Sequence, residues 1–521
     1  MMRQPMIQRA RQGLRRALSD FVGAPVGGWN ARDSLDAMGK RDAVVLENWF
    51  PRQTDLELRG GWEASQSGYS SDVAQTLMTW NGAQSSKLFA CTNTGIFDAG
   101  VGGARGAALI ALTNGLVSSV NFVAAGGHFL MAVNGTDTLK RFDGTTWSSI
   151  TGVAPNAITG VPTEELSSVA VAHRRLWFTR EFSSSVYYLD VGAVAGALTE
   201  FPLGAVFPSG GVVVAIDTWS SDAGDGADDY TVFVSSEGEL AVYRGSDPTN
   251  VDGFSKVGIF KVAKPIGGFR CLAKYGGDLA YLCELGLYPV SKLLSARDFV
   301  GLALTDKIDE AFNTAVKTYR NNPGWQTVIF PQEQALIVNI PITSSYNEQF
   351  VMNMLTGAWT RFIGWDVTSM AVFGTQLYGA GRQGIQKLWS GVSDNGSLIR
   401  GRGQMAYNYF GKRGLLKQVK LLAAVLRASG AFSRSLAIDV DYRFAQRLQG
   451  QLNSGSTASS VWDTAVWDSA EWAGDFELYQ AWASIEAQEG YAHSLFLEVL
   501  SADSGVKWLG FNLSGEYGGN F

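Results

Sequence analysis

The chain has 521 residues, of which 46% are hydrophobic, 12% aromatic and 17% charged, and its formal net charge is −6. This hydrophobic and aromatic content excludes a largely disordered chain, and the length allows two or three domains with a large core. The mildly acidic balance provides no global attraction for nucleic acid, so any such contact must be local.

The first 22 residues form a basic segment. Five arginines precede the first acidic residue, Asp20, and these are Arg3, Arg9, Arg11, Arg15 and Arg16. An arginine-rich start without acids can imitate a transit peptide, but it lacks the apolar core of a secretory signal. We predict an N-terminal arm over residues 1–22 that docks on a partner through Arg9, Arg11, Arg15 and Arg16. A solvated tail and a nucleic-acid contact are the alternatives.

After a leader segment at residues 23–65, the sequence repeats a pattern of apolar strand, polar turn and second apolar strand. The repeats start near Thr76, Asn121, Ser168, Val214, Arg270, Trp325 and Ser369. This spacing, with several strands per unit, is typical of propeller blades, and closing the array into a ring protects the sheet edges. The sequence therefore predicts an all-β fold with a β-propeller of six or seven blades over residues 66–400.

One segment interrupts the strand pattern. Apolar Ile308, Phe312, Ala315 and Tyr319 recur at helical spacing within residues 304–320. Because Thr305 precedes several acidic residues, it is predicted to be the N-cap of a helix inserted between blades.

Residues 401–521 are predicted to form a separate C-terminal β domain that can pack with residues 23–65. This region contains Trp462, Trp467 and Trp472, which are five residues apart. That spacing aligns the indoles on one face of neither a helix nor a strand. They are predicted either to fill an intramolecular core or to anchor the segment in a neighbouring subunit.

Motifs that would carry chemistry are weak. Gly379, Gly381 and Gly384 match a dinucleotide-binding pattern, but no βαβ unit surrounds them, and a hairpin turn explains them better. The histidines, His128, His173 and His493, lack the spacing of a metal site. The acidic loop at residues 222–229 is predicted to be solvated, with a weak cation site as the alternative. In the segment RFDGTTW, Asp143 and Gly144 are adjacent, which breaks the Asp box of sialidase-like propellers. We therefore predict no enzymatic activity, no cofactor and no metal.

The three cysteines, Cys91, Cys271 and Cys283, are far apart in the sequence, and no two of them form a CxxC pair. This argues against a disulfide framework and favours folding in a reducing compartment. No apolar run of about 20 residues is present, so no membrane-spanning helix is predicted.

Two regions carry landmark residues of a known family. The first is PVGGWNARDSLDAMGKRDAVVLENWFPRQTDLELRGGW (25–62), with landmarks Gly28, Asn30, Arg32, Asp33, Ala43, Asn48, Phe50, Pro51, Arg59 and Gly61. The second is residues 304–362, which contain LTDKI, LIVNIPIT and FVMNMLTGAWTRF, with landmarks Trp325, Pro341, Asn353, Thr356, Gly357 and Trp359. These regions, and the segment WDTAVWDSAEW, resemble the β-propeller tail nozzle proteins of short-tailed bacteriophages, also called the tail tubular protein B-like family.

This resemblance implies a structural protein of the virion tail that is assembled in the host cytoplasm. Six copies would form a ring, or nozzle, that contacts a tail adaptor and conducts and gates double-stranded DNA during ejection. The blade-edge loops 221–229 and 343–348 are the candidates for closing the passage. A head-to-tail hub or plug of the same virion is the alternative, followed by a glycan-binding or glycan-cleaving propeller.

Overall fold

The structure is a computed structural model that describes residues 17–220, 229–250, 252–295, 301–443, 451–453, 476–485 and 489–518. The chain divides into two compact units. One extends to Leu58 and resumes at Leu398, and the other spans Arg59–Ser397. We call them the sandwich unit and the propeller unit, and both consist mainly of β-strands.

The propeller unit contains seven blades within the described residues, which confirms the predicted fold class. Blade 1 comprises Thr76–Asn81, Ser86–Cys91 and Ile96–Asp98. Blade 2 comprises Ser118–Ala124, Gly127–Val133, Lys140–Phe142 and Trp147–Ser149. Blade 3 comprises Leu166–Ala172, Arg175–Arg180, Ser185–Tyr188 and Thr199–Pro202. Blade 4 comprises Val213–Ser220, Asp229–Ser235, Glu239–Gly245 and Phe254–Lys261. Blade 5 comprises Leu272–Tyr275, Asp278–Cys283 and Gly286–Pro289. Blade 6 comprises Gln326–Phe330, Ala335–Pro341, Asn347–Asn353 and Trp359–Ile363. The first strand of each blade contacts the first strand of the next, and blade 7 contacts blade 1, so the ring is closed.

Blade 7 combines strands from both ends of the propeller sequence. It comprises Ser369–Phe373, Gln376–Gly381, Gly384–Leu388 and Trp62–Ser67. The strand Trp62–Ser67 lies antiparallel to Gly384–Leu388, with Leu388 opposite Trp62. The propeller therefore begins before residue 66, its predicted start, because the whole of Trp62–Ser67 belongs to blade 7. Local periodicity cannot reveal this pairing, because the two strands are more than 300 residues apart in the chain.

Apolar side chains fill the spaces between neighbouring blades. One cluster joins blades 1 and 2 around Phe89 and Phe142, and another joins blades 3 and 4 around Trp177 and Phe233. These aromatic rings pack edge-on, with centroids 5.0 Å apart for Phe89 and Phe142. Aromatic residues recur along the sequence because neighbouring blades contribute large rings to the layers between them, as in these two clusters.

The remaining short elements connect or flank the blades. The strands are Gly103–Ala104, Ile158–Thr159 and Gly196–Ala197; the 3-10 turns are Thr163–Glu165, Gly268–Cys271, Asp306–Ile308 and Pro331–Glu333; the α-helices are Val290–Ser295 and Asp309–Tyr319. Among the described residues, no helix is both long and apolar enough to cross a membrane.

The inserted helix is present, but its predicted N-cap is wrong. The helix Asp309–Tyr319 follows a 3-10 turn and has Ile308 in the N-cap position without a side-chain cap. The Thr305 hydroxyl instead accepts the backbone N–H of Leu287 at 3.2 Å. Burial of Thr305 against the last strand of blade 5 therefore takes precedence over local capping.

The sandwich unit consists of two sheets around one core. One sheet contains Ala17–Gly23, Trp49–Pro51, Leu56–Leu58, Lys417–Ala428, Glu477–Tyr479, Ala483–Ser484, Glu489–Gly490 and Val506–Tyr517. The strands of the unit's second sheet are Gly28–Trp29, Asp42–Glu47, Ile399–Met405, Phe432–Val440, Gln451–Asn453 and His493–Ser501. Residues 17–22 of the predicted arm thus belong to a strand, which pairs with Val506–Tyr517. Trp49 and Trp508 pack together in the core, with ring centroids 5.7 Å apart.

We predict that Gln66→Ala destabilises the propeller unit by about 2–4 kcal/mol. The buried Gln66 amide donates to the carbonyl oxygens of Asp98 and Val101 at 2.9 and 2.8 Å and accepts the Tyr69 hydroxyl. Removing it leaves the buried Tyr69 hydroxyl without its acceptor and removes the side-chain donor of the two carbonyls. Differential scanning calorimetry measures the effect, with Glu63→Ala, at an exposed position of the same strand, as the control. Equal melting temperatures for the two variants would contradict this role.

Candidate functional site

The residues predicted to bind partners are not among the described residues. Arg9, Arg11, Arg15 and Arg16 precede residue 17, and Trp462, Trp467 and Trp472 fall between residues 453 and 476. Their docking roles stay predictions. Most of the acidic loop at 222–229 is likewise outside the described ranges.

Several landmarks of the family resemblance hold turns together. The Asn30 side chain accepts the backbone N–H groups of Arg32 and Asp33 at 3.1 and 3.0 Å. Its amide also donates to the carboxylates of Asp33 and Asp42, both at 2.9 Å. Because Asn30 is 1% exposed, no other residue type could satisfy all four groups in this geometry without loss of a bond.

Asn48 and Phe50 define the next turn of the leader. Asn48 has a φ of 59°, a left-handed conformation that asparagine tolerates better than most residues. Its side-chain amide donates to the Arg400 carbonyl at 2.9 Å. Phe50 follows and is completely buried. These two landmarks therefore lie where the chain passes from one sheet of the sandwich unit to the other.

Arg59 and Asp394 join the two ends of the propeller sequence. The Arg59 guanidinium donates to both carboxylate oxygens of Asp394 at 2.8 and 2.7 Å, and also to the Ile363 carbonyl at 2.6 Å. The side chains are only 1% and 13% exposed. Such a paired, desolvated arginine fixes orientation as well as position. It holds the strand Trp62–Ser67 at the point where it enters blade 7.

The second region of resemblance contains buried polar contacts of blade 6 and its surroundings. The Asn353 side chain accepts the backbone N–H groups of Leu355 and Thr356 in a tight turn, and Gly357 follows with a φ of 70°. The Trp359 indole donates to the Leu304 carbonyl at 2.8 Å, and that of Trp325 to the Tyr319 carbonyl at 2.9 Å. The two indoles thus bind Leu304, which precedes the inserted helix, and Tyr319, its last residue.

The first strands of all seven blades converge on one cavity of about 680 Å³, which is the axial channel of the propeller. Small polar side chains at the start of these strands join neighbouring blades. The hydroxyls of Ser369, Thr76 and Ser118 accept the backbone N–H groups of Leu77, Val117 and Val169, respectively, at 3.1–3.2 Å. Each of these hydroxyls keeps its own proton available for a further acceptor.

Arg270 reaches across this channel. It lies in the 3-10 turn before the first strand of blade 5, and its Nη2 donates to the Thr76 hydroxyl at 2.6 Å and the Gln75 carbonyl at 3.1 Å in blade 1. Blades 5 and 1 are not neighbours on either side of the ring, so these bonds cross the axis. Arg270 also lines a second cavity, of about 510 Å³, with Thr343 and Ser344. Arg270 therefore belongs to the lining of both cavities.

The charges of the channel are mostly positive. Arg174 and Lys274 line it with Arg270, and Asp217 supplies a carboxylate whose Oδ1 lies 3.8 Å from the Lys274 ammonium. Burial raises the pKa of Asp217, and Lys274 opposes that shift. Burial lowers the pKa of Arg270 to about 10. His173 also lines the channel, and its Nε2 lies 2.9 Å from the Thr231 hydroxyl.

Other motifs have structural roles. Gly381 and Gly384 pair across a two-residue hairpin turn of blade 7, as the sequence analysis expected. His493 begins a strand of the sandwich unit, and His128 follows the first turn of blade 2. No group of three metal-ligating side chains occurs in the part of the chain that the structure describes. The three cysteines are buried and free, and burial raises the pKa of Cys283 to about 12.

Sequence reasoning did not identify Arg270 as a functional residue. It noted only that a repeat starts near this position. The available signal is that Arg270 lies two residues before the strand Leu272–Tyr275, a position at which no other blade has a basic residue.

No family model and no curated protein matches the chain. Several solved structures resemble it. The Cps50 (Swd1) β-propeller domain of Myceliophteria thermophila is 13% identical, with 64% of this chain and 99% of that chain covered and a TM-score of 0.39. YCF48 from Cyanidioschyzon merolae is 11% identical, with 63% and 98% covered and a TM-score of 0.34. BBS1N, in a complex with ARL6DN, is 13% identical, with 63% and 97% covered and a TM-score of 0.38. These likenesses concern the fold and carry no argument about function.

We predict that Arg59→Ala destabilises the propeller unit by about 3–5 kcal/mol, because it leaves the Asp394 carboxylate desolvated without its partner. Arg320→Ala is the matched control. Arg320 also pairs with a carboxylate, that of Glu284 at 2.7 Å, but its side chain is 53% exposed. Its loss should cost less than about 1 kcal/mol. Calorimetric melting of both variants tests the difference, and similar shifts would exclude a special role for Arg59.

Proposed function

We propose that this chain is a structural protein of a short bacteriophage tail, in which copies form a ring that conducts and gates DNA during ejection. The observation that carries the proposal is the role of the landmarks of resemblance. Asn30, Asn48, Arg59, Asn353 and Trp359 all hold turns or buried joints of the fold. A resemblance carried by such residues is one of architecture, and architecture is what a ring-forming tail protein contributes.

Two further features support this proposal. A closed propeller is rigid and leaves short, protected edges, which suits a mechanical part of a particle. The buried, free thiols of Cys91, Cys271 and Cys283 suit assembly in the reducing host cytoplasm. The partners under this proposal are further copies of the chain, a tail adaptor and the DNA that passes through.

We predict that the full-length protein assembles into a hexameric ring. Native mass spectrometry should detect a species of six times the 56.1 kDa chain mass. Electron microscopy of the same sample should show a ring with a central opening. A protein that remains monomeric in isolated tails would exclude the ring.

The position of the protein in the virion distinguishes a tail nozzle from the alternative, a head-to-tail hub or plug. A gold-labelled antibody against the protein should bind the distal end of the tail. Label at the junction of head and tail would instead support a hub or plug, and unlabelled virions would exclude a tail protein altogether.

We predict that at least one of Trp462→Ala, Trp467→Ala and Trp472→Ala weakens ring formation more than it weakens the fold. Removing a buried indole costs about 3 kcal/mol, and at a subunit interface that loss appears in assembly. Trp482→Ala is the control, because Trp482 is a half-exposed tryptophan outside the 461–474 segment. Thermal melting and ring formation are measured on each variant. Parallel losses in both would indicate an intramolecular core.

A further inference from the structure

Arg270 is a buried cation without a compensating anion. It is only 9% exposed, and it forms no ion pair with any carboxylate in the described part of the chain. The nearest acidic group that acts on it is the Cys91 thiol, whose own pKa is raised by burial, so the thiol is neutral at pH 7. Burying an unpaired charge is strongly unfavourable, and buried cations are normally paired or bound to an anion.

The hydrogen bonds of Arg270 leave donors unused. Its Nη1 has no acceptor among the described residues. Thr76 accepts both the Val117 N–H and Arg270 Nη2, so its own O–H must donate, and no described residue accepts it. Donors of this kind, next to a guanidinium, match the oxygens of an anion.

The cavity below these donors is also positive. Its described lining residues include three cations, Arg270, Lys274 and Arg174, and one carboxylate, that of Asp217. The Lys274 side chain is 68% exposed, so its ammonium is available to a molecule in the channel. Among the described lining residues, three cations against one carboxylate leave two positive charges, which favours a dianion. With about 680 Å³, the cavity accommodates more than a single inorganic ion.

We propose that the axial channel of the propeller is a binding site for a small molecule carrying phosphate or carboxylate oxygens. Arg270 supplies the buried charge, Thr76 an O–H donor, and Lys274 a second, more mobile cation. This site lies within a single chain, and the inference does not depend on the proposed role in a phage tail. Whether phosphate or carboxylate is preferred is decided by the two probes below.

Isothermal titration calorimetry of the full-length protein at pH 7 tests the site. The probes are sodium phosphate and sodium citrate, each compared with sodium chloride at equal ionic strength. We expect one saturable site per chain for at least one probe. Arg270→Met should weaken binding at least about ten-fold, because a charge-assisted hydrogen bond is lost. Lys274→Gln should weaken it by about three- to ten-fold.

Arg382→Gln is the matched control, since Arg382 is an exposed arginine that does not line the channel. Its affinity should equal that of the wild type. If Arg270→Met does not fold, Lys274→Gln decides, because its exposed side chain can be changed without disturbing the core. The proposal is overturned if neither probe binds more tightly than about 10 mM. It is equally overturned if the channel variants bind as well as Arg382→Gln.

Discussion

The propeller unit depends on closure of its ring, in which the last blade is held against the first. Without that contact the first and last blades would each expose a free face. Here the closing strand, Trp62–Ser67, precedes blade 1 in sequence and completes blade 7. Blades 7 and 1 are thereby covalently continuous in both directions around the ring. Opening the ring therefore requires the pairing between Trp62–Ser67 and Gly384–Leu388 to break. If all four strands of blade 7 were consecutive in the chain, the ring could open without breaking any strand pairing.

Closure concentrates polar contacts at two places. At the entrance and exit of the propeller sequence, Arg59 and Asp394 form a desolvated pair where the closing strand begins. At the axis, small hydroxyls join blade 7 to blade 1, blade 1 to blade 2 and blade 2 to blade 3. Both arrangements place hydrogen bonds between segments far apart in sequence, which makes the ring cooperative.

The axial channel is a further result of closure. Seven first strands can enclose a cavity only when all blades are in place, and charges from separate blades then face one another. Arg270 in blade 5 and Thr76 in blade 1 meet only across this space. A guanidinium held there is desolvated without an ionic partner from the described chain, which distinguishes it from Arg59, whose burial is balanced by Asp394. Arg59 therefore has a structural role, whereas the charge of Arg270 is not balanced by any described carboxylate.

Local sequence patterns were sufficient for the propeller, because strand alternation and turn chemistry act over a few residues. Each predicted repeat start lies within three residues of the first strand of a blade, as for Asn121 and Ser118. The hairpin at Gly381 and Gly384 and the inserted helix follow from the same short-range rules. The role of Thr305 does not, because its hydroxyl is used by Leu287 in a neighbouring blade.

The sequence by itself therefore determined the fold class, the repeat positions and the inserted helix. Only the tertiary structure decided that Trp62–Ser67 closes blade 7, that Arg59 pairs with Asp394, and that Arg270 spans the channel. Each of these depends on a partner about 190 or more residues away in the chain. No periodicity or turn motif specifies such a partner, because it is selected by ring closure and by the burial that closure imposes.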